Sequence, residues 1–333
     1  MKRVMPIPAR ERGAALLAVL VLVAIMGALA AAAFEKLRLS TALAANHAAL
    51  DQARAYAVGV ESLLTLRVDD LIAASPERTT LEGDWNGTVR RIPLPGGVGV
   101  AGAAVRDGGN CFNINSVVQG AAATGLTPRE FGIGQFAGLL HLLGVPDNEA
   151  RRIAESAADW ADSDMVPSGA GAEDSAYVSG ERPYRTGNTL FAETSELRAV
   201  AGMTPEIYER ARPWLCALPT SDLSPLNVNT LLPDQSILIA MLAPYLISPQ
   251  IAREALAARP ASGWESLSDF WSHPALARLV LPFDAQTQPQ LRTRWFALDM
   301  KVEVRGSELI ETALVDARIA PSRLVVRRWG SAD

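Results

Sequence analysis

Cysteine and histidine are scarce in this chain, with two of the first and three of the second in 333 residues. A Cys-rich zinc site and a disulfide-dense miniprotein are thereby excluded. His47, His141 and His273 are scattered. No Ser-His-Asp order, Walker loop, Gly-x-Ser-x-Gly or His-Glu-x-x-His motif accompanies them, and no catalytic residue is expected. A basic excess is lacking as well. The net charge is −5 and the pI about 5.4, which argues against nucleic-acid binding, because that affinity rests on Lys and Arg neutralising phosphates. What the chain has is apolar surface: 49% hydrophobic against 20% charged residues, enough to exclude disorder throughout. Its length predicts about two domains.

The apolar excess has a local source. Ala14 to Phe34 is 21 residues without a charge, roughly 31 Å as a helix, the thickness of a bilayer core. Lys2, Arg3, Arg10 and Arg12 precede it against Glu11, and Glu35, Lys36 and Arg38 follow. The positive-inside bias places the N-terminus in the cytoplasm and the remaining chain across the membrane. A cleaved secretory signal ending near Ala30 to Ala33, or a plain single-span anchor, could read this way. Arg12-Gly13 directly before the run points to a third reading. A basic leader closed by Gly and followed by an uninterrupted apolar helix resembles the class III signal of type IV pilins and pseudopilins. That resemblance implies a cut between Gly13 and Ala14, with the helix retained.

A retained helix should continue. Residues 35 to about 72 contain no Pro and one Gly, Gly59. Leu43, Leu50, Ala57 and Leu64 repeat every seven residues, with Ala53 and Val60 beside them, which predicts one apolar stripe. Pilins of this type usually carry Glu at mature position five, paired with the neighbouring subunit's terminal ammonium. Here that position is Ala18. A carboxylate at membrane depth is costly without its partner, so a subunit with no neighbour above it, at a filament tip, has no need of one.

Beyond the helix, Thr88 to Arg106 reads as two β-prone runs around a Pro95-Gly96-Gly97 turn. From Asn110 to about Pro282 strand signals nearly vanish. Strands return at Trp295 to Val304, Ile310 to Ile319 and Leu324 to Trp329. The fold class expected is α+β: the long N-terminal helix packed on an antiparallel sheet, with a large all-α insertion. The insertion contains weak internal similarity. CFNINS at Cys111 and LNVNT at Leu226 each precede an apolar helix (FAGLLHLL, ILIAML) and then a helix rich in Ala and Arg. The rhythm resembles helix-hairpin-helix modules, but no hairpin has Gly-x-Gly and the surroundings are acidic. Packing or protein contact is expected, and DNA binding is not. Trp160 and Trp264 are expected to anchor helices in the core.

Ile153 to Glu181 holds seven acids (Glu155, Asp159, Asp162, Asp164, Glu173, Asp174, Glu181) and no Lys or Arg. Its local charge of −7 exceeds that of the whole chain. Clustered carboxylates repel unless a cation holds them, and Ca²⁺ accepts six to eight oxygens, whereas Mg²⁺ suits an all-protein cage poorly. Asp162, Asp164 and Glu173 fall at positions 1, 3 and 12 of an EF-hand count, but Val166 and Pro167 break the motif. A solvated acidic loop, ion pairs with Arg182 and Arg185, or a catalytic carboxylate pair, for which nothing nearby marks a substrate pocket, are the alternatives. If the head lies outside the membrane, Cys111 and Cys216 can pair; otherwise they are two buried thiols.

These motifs together resemble the minor pseudopilin K family of type II secretion systems: RGAALLAVLVL without the Glu, CFNIN, DWADSD…GAED with Tyr177, PYRTGN, SELR with GMTPEIY, and LCALP followed by LNVNT. The resemblance implies a pilin-like domain with a helical insertion, one or two structural calcium ions within it, and a Cys111–Cys216 disulfide. Asp159, Asp162, Asp164, Glu173 and Asp174 are the ligand candidates it implies, with Glu196 and Asn188 weaker. It implies a leader over 1–13, a membrane segment over 14–34, pilin-like segments over 35–109 and 286–333, and the insertion over 110–285. It implies processing by a prepilin peptidase with N-methylation, and a non-enzymatic tip complex with minor pseudopilins I and J. That complex initiates a pseudopilus filament anchored in inner-membrane lipid, with a periplasmic head that meets the secretin and secreted substrates. The rival reading is a periplasmic binding or hydrolytic domain on an ordinary anchor.

Overall fold

The computed structural model describes residues 9–121, 123–178 and 183–330. The first eight leader residues, Glu181, Arg182 and the last three residues of the second pilin-like segment lie outside the described residues. Helix α1 (Ala9–Ala74) runs 66 residues without a break, about 100 Å at the α-helical rise. Within it, Gly13–Ala74 is long and apolar enough to cross a membrane, and its most apolar stretch is entirely unburied.

Burial along α1 begins only at Ala49. From there Ala53, Ala57, Val60 and Val68 turn into the core, with Leu50 and Leu64 half-buried. Leu43, expected on the same stripe, is 51% exposed, because the head ends before it. The buried row meets one face of a five-stranded antiparallel sheet. Its strands are β1 (Arg90–Pro93) and β2 (Gly99–Asp107), and, after the insertion, β7 (Trp295–Val304), β8 (Ser307–Asp316) and β9 (Arg323–Trp329). The spatial order is β1-β2-β7-β8-β9. Strand β7 shows how the sequence selects the face. Phe296, Leu298, Met300, Val302 and Val304 join the core under α1, while Lys301 and Glu303 point to water. Strand β8 starts at Ser307, three residues before the expected Ile310, and ends at Asp316, short of Ile319. The cause is a two-residue turn, Arg305-Gly306, with both φ positive (48° and 83°). This geometry suits the strand twist, and pairing resumes at once with Val304 opposite Ser307.

Between Asp107 and Trp295 the chain builds a second core. Here lie β3 (Phe112–Asn113), β4 (Val118–Ala121), β5 (Gly125–Pro128), α2 (Glu130–Leu142), α3 (Asp147–Ala161), α4 (Asp174–Tyr177), α5 (Pro205–Ala211), β6 (Leu215–Cys216), α6 (Ile237–Ala240), α7 (Pro249–Ala257), α8 (Leu267–Trp271) and α9 (Phe283–Thr287). Helices dominate, but β3 pairs with β6 in parallel and β4 with β5 in a hairpin, four short strands absent from the sequence reading. Phe112 stacks on Phe136 at 5.0 Å, and Trp160 and Trp264 are both buried in this core. Cys111 and Cys216 form a disulfide.

The two Asn-x-Asn motifs do equivalent work. Asn113 Oδ1 accepts from Asn115 N–H, and Asn227 Oδ1 from Asn229 N–H. Asn115 then clasps the backbone N–H and C=O of Phe191, and Asn229 those of Trp264. Both crossings between sheet and insertion meet at Asp107. One of its buried carboxylate oxygens accepts from Thr230 Oγ1 (2.6 Å) and Thr293 Oγ1 (2.5 Å), and the other from Gly109 N–H (2.9 Å).

Candidate cation site in the insertion

The site grows from the C-terminal end of α3. Ala150, Ile153, Ala154, Ala157, Ala158 and Ala161 supply the apolar face that buries this helix. Glu155 and Asp159 stand one turn apart and project toward the loop that follows. Asp162 ends the helix in an extended conformation. The loop then folds back. Ser168 N–H donates to Asp159 Oδ1 (2.9 Å) and Ala170 N–H to Glu155 Oε2 (2.8 Å). At Gly171 the backbone presses on the Asp159 carboxylate so closely that a side chain there would strike it. Glu173, just before α4, closes the group.

Asp159, Asp162 and Glu173 thus come together, with one carboxylate oxygen from each lying within 4.8 Å of the others. Asp159 and Asp162 are fully buried and Glu173 is 3% exposed. Among the described residues, Asp159 Oδ2, Asp162 Oδ2 and both Glu173 oxygens have no hydrogen-bond partner. Buried polar atoms are normally paired, so these oxygens point to something that is not a protein group. Burial, then repulsion from Asp164 and Asp159, pushes Asp162 up to about 7. Burial, then repulsion from Asp162, Asp159 and Asp164, pushes Glu173 up to about 7. Burial also raises Asp159, despite its bond from Ser168. Among the described residues, no Lys or Arg lies within ion-pair distance of these three; the nearby cations are taken by Glu155 and Asp174. The donors are oxygen only, a set that fits a hard cation.

The other candidates stand outside this buried trio. Asp164 is exposed, and its Oδ1 accepts from Val166 N–H (2.8 Å). Asp174 Oδ1 accepts from Thr186 N–H (2.9 Å) with the Thr186 hydroxyl at the same distance, and Arg185 stands 3.8 Å from Oδ2. Those Thr186 bonds hold Asp174 below the usual carboxylate range. Glu196 caps its own turn by accepting from Ala192 and Glu193 N–H, and Asn188 Oδ1 faces the Thr186 hydroxyl at 2.8 Å. Gly13 and Ala14 lie exposed within α1. Sequence reasoning missed the part played by Glu155, which takes Arg151 Nε at 2.6 Å while Arg151 reaches Glu130 at 2.7 and 2.9 Å. The signal was available: Arg151 and Glu155 are four apart on one helix.

Residues 110–220 and 226–293 match two family models, both described as type II secretion system (T2SS), protein K. Similar proteins include the type II secretion system protein K of Klebsiella pneumoniae, 37% identical over 324 residues (96% of this chain, 97% of that protein). That of Pectobacterium carotovorum subsp. carotovorum is 31% identical over 322 residues, again covering 96% of this chain and 97% of that protein. Among solved structures, a chain of the GspK-GspI-GspJ complex from the type 2 secretion system of enterotoxigenic Escherichia coli matches with a TM-score of 0.72 and 30% identity. That match covers 85% of this chain and 97% of the other.

Proposed function

Because the chain belongs to the type II secretion system protein K family, we propose that it is a non-enzymatic minor pseudopilin that caps the secretion pseudopilus. It starts assembly with minor pseudopilins I and J and supports export of folded proteins through the secretin. A prepilin peptidase cuts between Gly13 and Ala14, the new terminus is methylated, and α1 anchors the chain in the inner membrane with the head in the periplasm. The similar solved chain was captured with GspI and GspJ. Ala18 and the bulk of the insertion support the tip position.

The observation that carries the assembly role is the outer face of α1. Where the helix packs on the sheet, the opposite side presents Ala55, Val58, Gly59, Ser62, Leu63 and Leu66, all exposed and uncharged. Leu63 and Leu66 are 57% and 61% exposed. Small residues among leucines let another helix approach closely and offer apolar anchors. Leu63→Glu with Leu66→Glu should weaken binding to I and J at least about 100-fold, as expected for central anchors, with the head's thermal midpoint nearly unchanged. Titration of the detergent-solubilised variant against the I–J pair measures this; undiminished affinity would sink the reading.

Asp159, Asp162 and Glu173 would hold a structural Ca²⁺ that offsets most of their negative charge and fixes the loop. Without it, their raised pKa values make the folded state bind protons more tightly than the unfolded chain. Stability present near pH 4 is then lost as pH rises through about 7. Calcium should therefore raise the melting temperature strongly at pH 8, little at pH 5.5, and not at all in Asp159→Ala, Asp162→Ala. Equal melting temperatures with Ca²⁺ and with chelator at pH 8 would remove the calcium assignment.

A further inference from the structure

Resting on the calcium reading, we infer that the acidic stretch divides its carboxylates between two tasks. Asp159, Asp162 and Glu173 face the ion, whereas Glu155 and Asp174 are positioning residues that staple the loop and do not touch the ion. The division follows from where each oxygen's capacity goes. The three facing carboxylates keep buried oxygens with no partner among the described residues. Glu155 keeps none: Oε1 takes Arg151 and Oε2 takes Ala170 N–H, and Gly169 comes so near that a side chain there would strike its carboxylate. Asp174 spends Oδ1 on the backbone N–H of Thr186, with the hydroxyl at the same distance, and its Oδ2 lies 3.8 Å from Arg185, outside the buried trio.

The two staples pull on opposite ends of the loop. Through Glu130 and Arg151, Glu155 ties the 168–170 segment to α2 and α3. Asp174, immediately after Glu173, ties the other end to the segment carrying Thr186. That segment is in turn fixed to α3 by Asn188 N–H donating to Trp160 C=O (2.9 Å). A loop held at both ends presents its ligands before the ion arrives, which lowers the ordering cost of binding.

An amide substitution separates the tasks, because Asn keeps the acceptor that Thr186 needs but loses the charge a cation needs. Calcium titration of the full-length protein in detergent should find Asp174→Asn within about threefold of the unmutated affinity. Asp174→Ala should be weakened about tenfold, and Asp162→Asn about 100-fold or more. A second measurement needs no ion. In excess chelator, Glu155→Ala should speed hydrogen exchange at Ser168 to Ala170 at least tenfold, with Glu155→Gln in between. If Asp174→Asn loses as much affinity as Asp162→Asn, or if chelated Glu155→Ala exchanges like the unmutated protein, the division is wrong while the calcium site stands. If the unmutated protein binds no calcium, both fall.

Discussion

Replacing Arg327 by Met should cost about 3–5 kcal/mol at pH 8, because it strands two buried carboxylates without their cation. Arg327 makes a bidentate pair with Glu61 of α1 (2.7 Å twice) and stands 3.5 Å from Glu311 of β8. Glu61 is 5% exposed and Glu311 fully buried, so α1 and the sheet share this cluster at their interface. Burial, helped by Glu61, pushes Glu311 up to about 7. Burial acts on Glu61 in the same direction, but the Arg327 hydrogen bonds outweigh it and hold Glu61 below its ordinary value. The raised Glu311 contributes stability that is complete below about pH 4.5 and lost as pH climbs through about 7. Glu61 contributes in the opposite sense, at pH values below its ordinary range. Without the guanidinium both acids move up, so the variant should lose far less at pH 5.5 than at pH 8. Urea unfolding with saturating Ca²⁺ at the two pH values tests this, and an equal loss at both would refute the electrostatic account.

Converting Cys111 and Cys216 to Ala should cost on the order of 4–5 kcal/mol in the chain-entropy account, since the bond closes a loop of 105 residues. For a domain the size of the insertion this corresponds to a fall of roughly 10–20 °C in thermal midpoint. The loss should centre on the insertion. The bond fastens β3 to β6, where Phe112 faces Leu215 and Asn113 faces Cys216. Asn113 extends the same fastening to the carbonyls of Thr220 and Asp222. Differential scanning calorimetry of the oxidised protein and the double variant decides the matter; a shift under about 3 °C would mean that the Asn clasps hold the loop unaided.

The parts legible in the sequence are those whose signal is local. The extent of α1 follows from the 38 residues without proline, 35 to 72, after the apolar run, and β7 from alternation. The crossover from strand signals to helical ones located the insertion. Its four short strands left no trace, because two- and four-residue pairings are selected by neighbours rather than by a period. At the acidic stretch the charge count was plain, but its geometry was not. Asp162 and Asp164 sit two residues apart, yet one caps a helix and is buried while the other turns outward onto Val166. Asp174 follows Glu173 directly and serves Thr186 instead. The Glu61–Glu311–Arg327 cluster joins Glu61 to two residues more than 200 positions away, and nothing in the composition near Glu61 announces them.

The sheet's pairing carries a consequence for how the chain matures. Strands β2 and β7 are neighbours, with Arg106 opposite Ala297, so the centre of the sheet joins segments separated by the entire insertion. Contacts of such long sequence separation form slowly, because loop-closure entropy is lost before they reward it. Until the last strands have been made, α1 has only the β1–β2 hairpin to cover its buried row. The insertion can assemble first from its own contacts, and its folding draws Asp107 and Thr293 into register. In this sense it acts as the splint on which the sheet closes. A truncation before Trp295 should therefore leave a folded insertion beside a helix with only the β1–β2 hairpin to rest on.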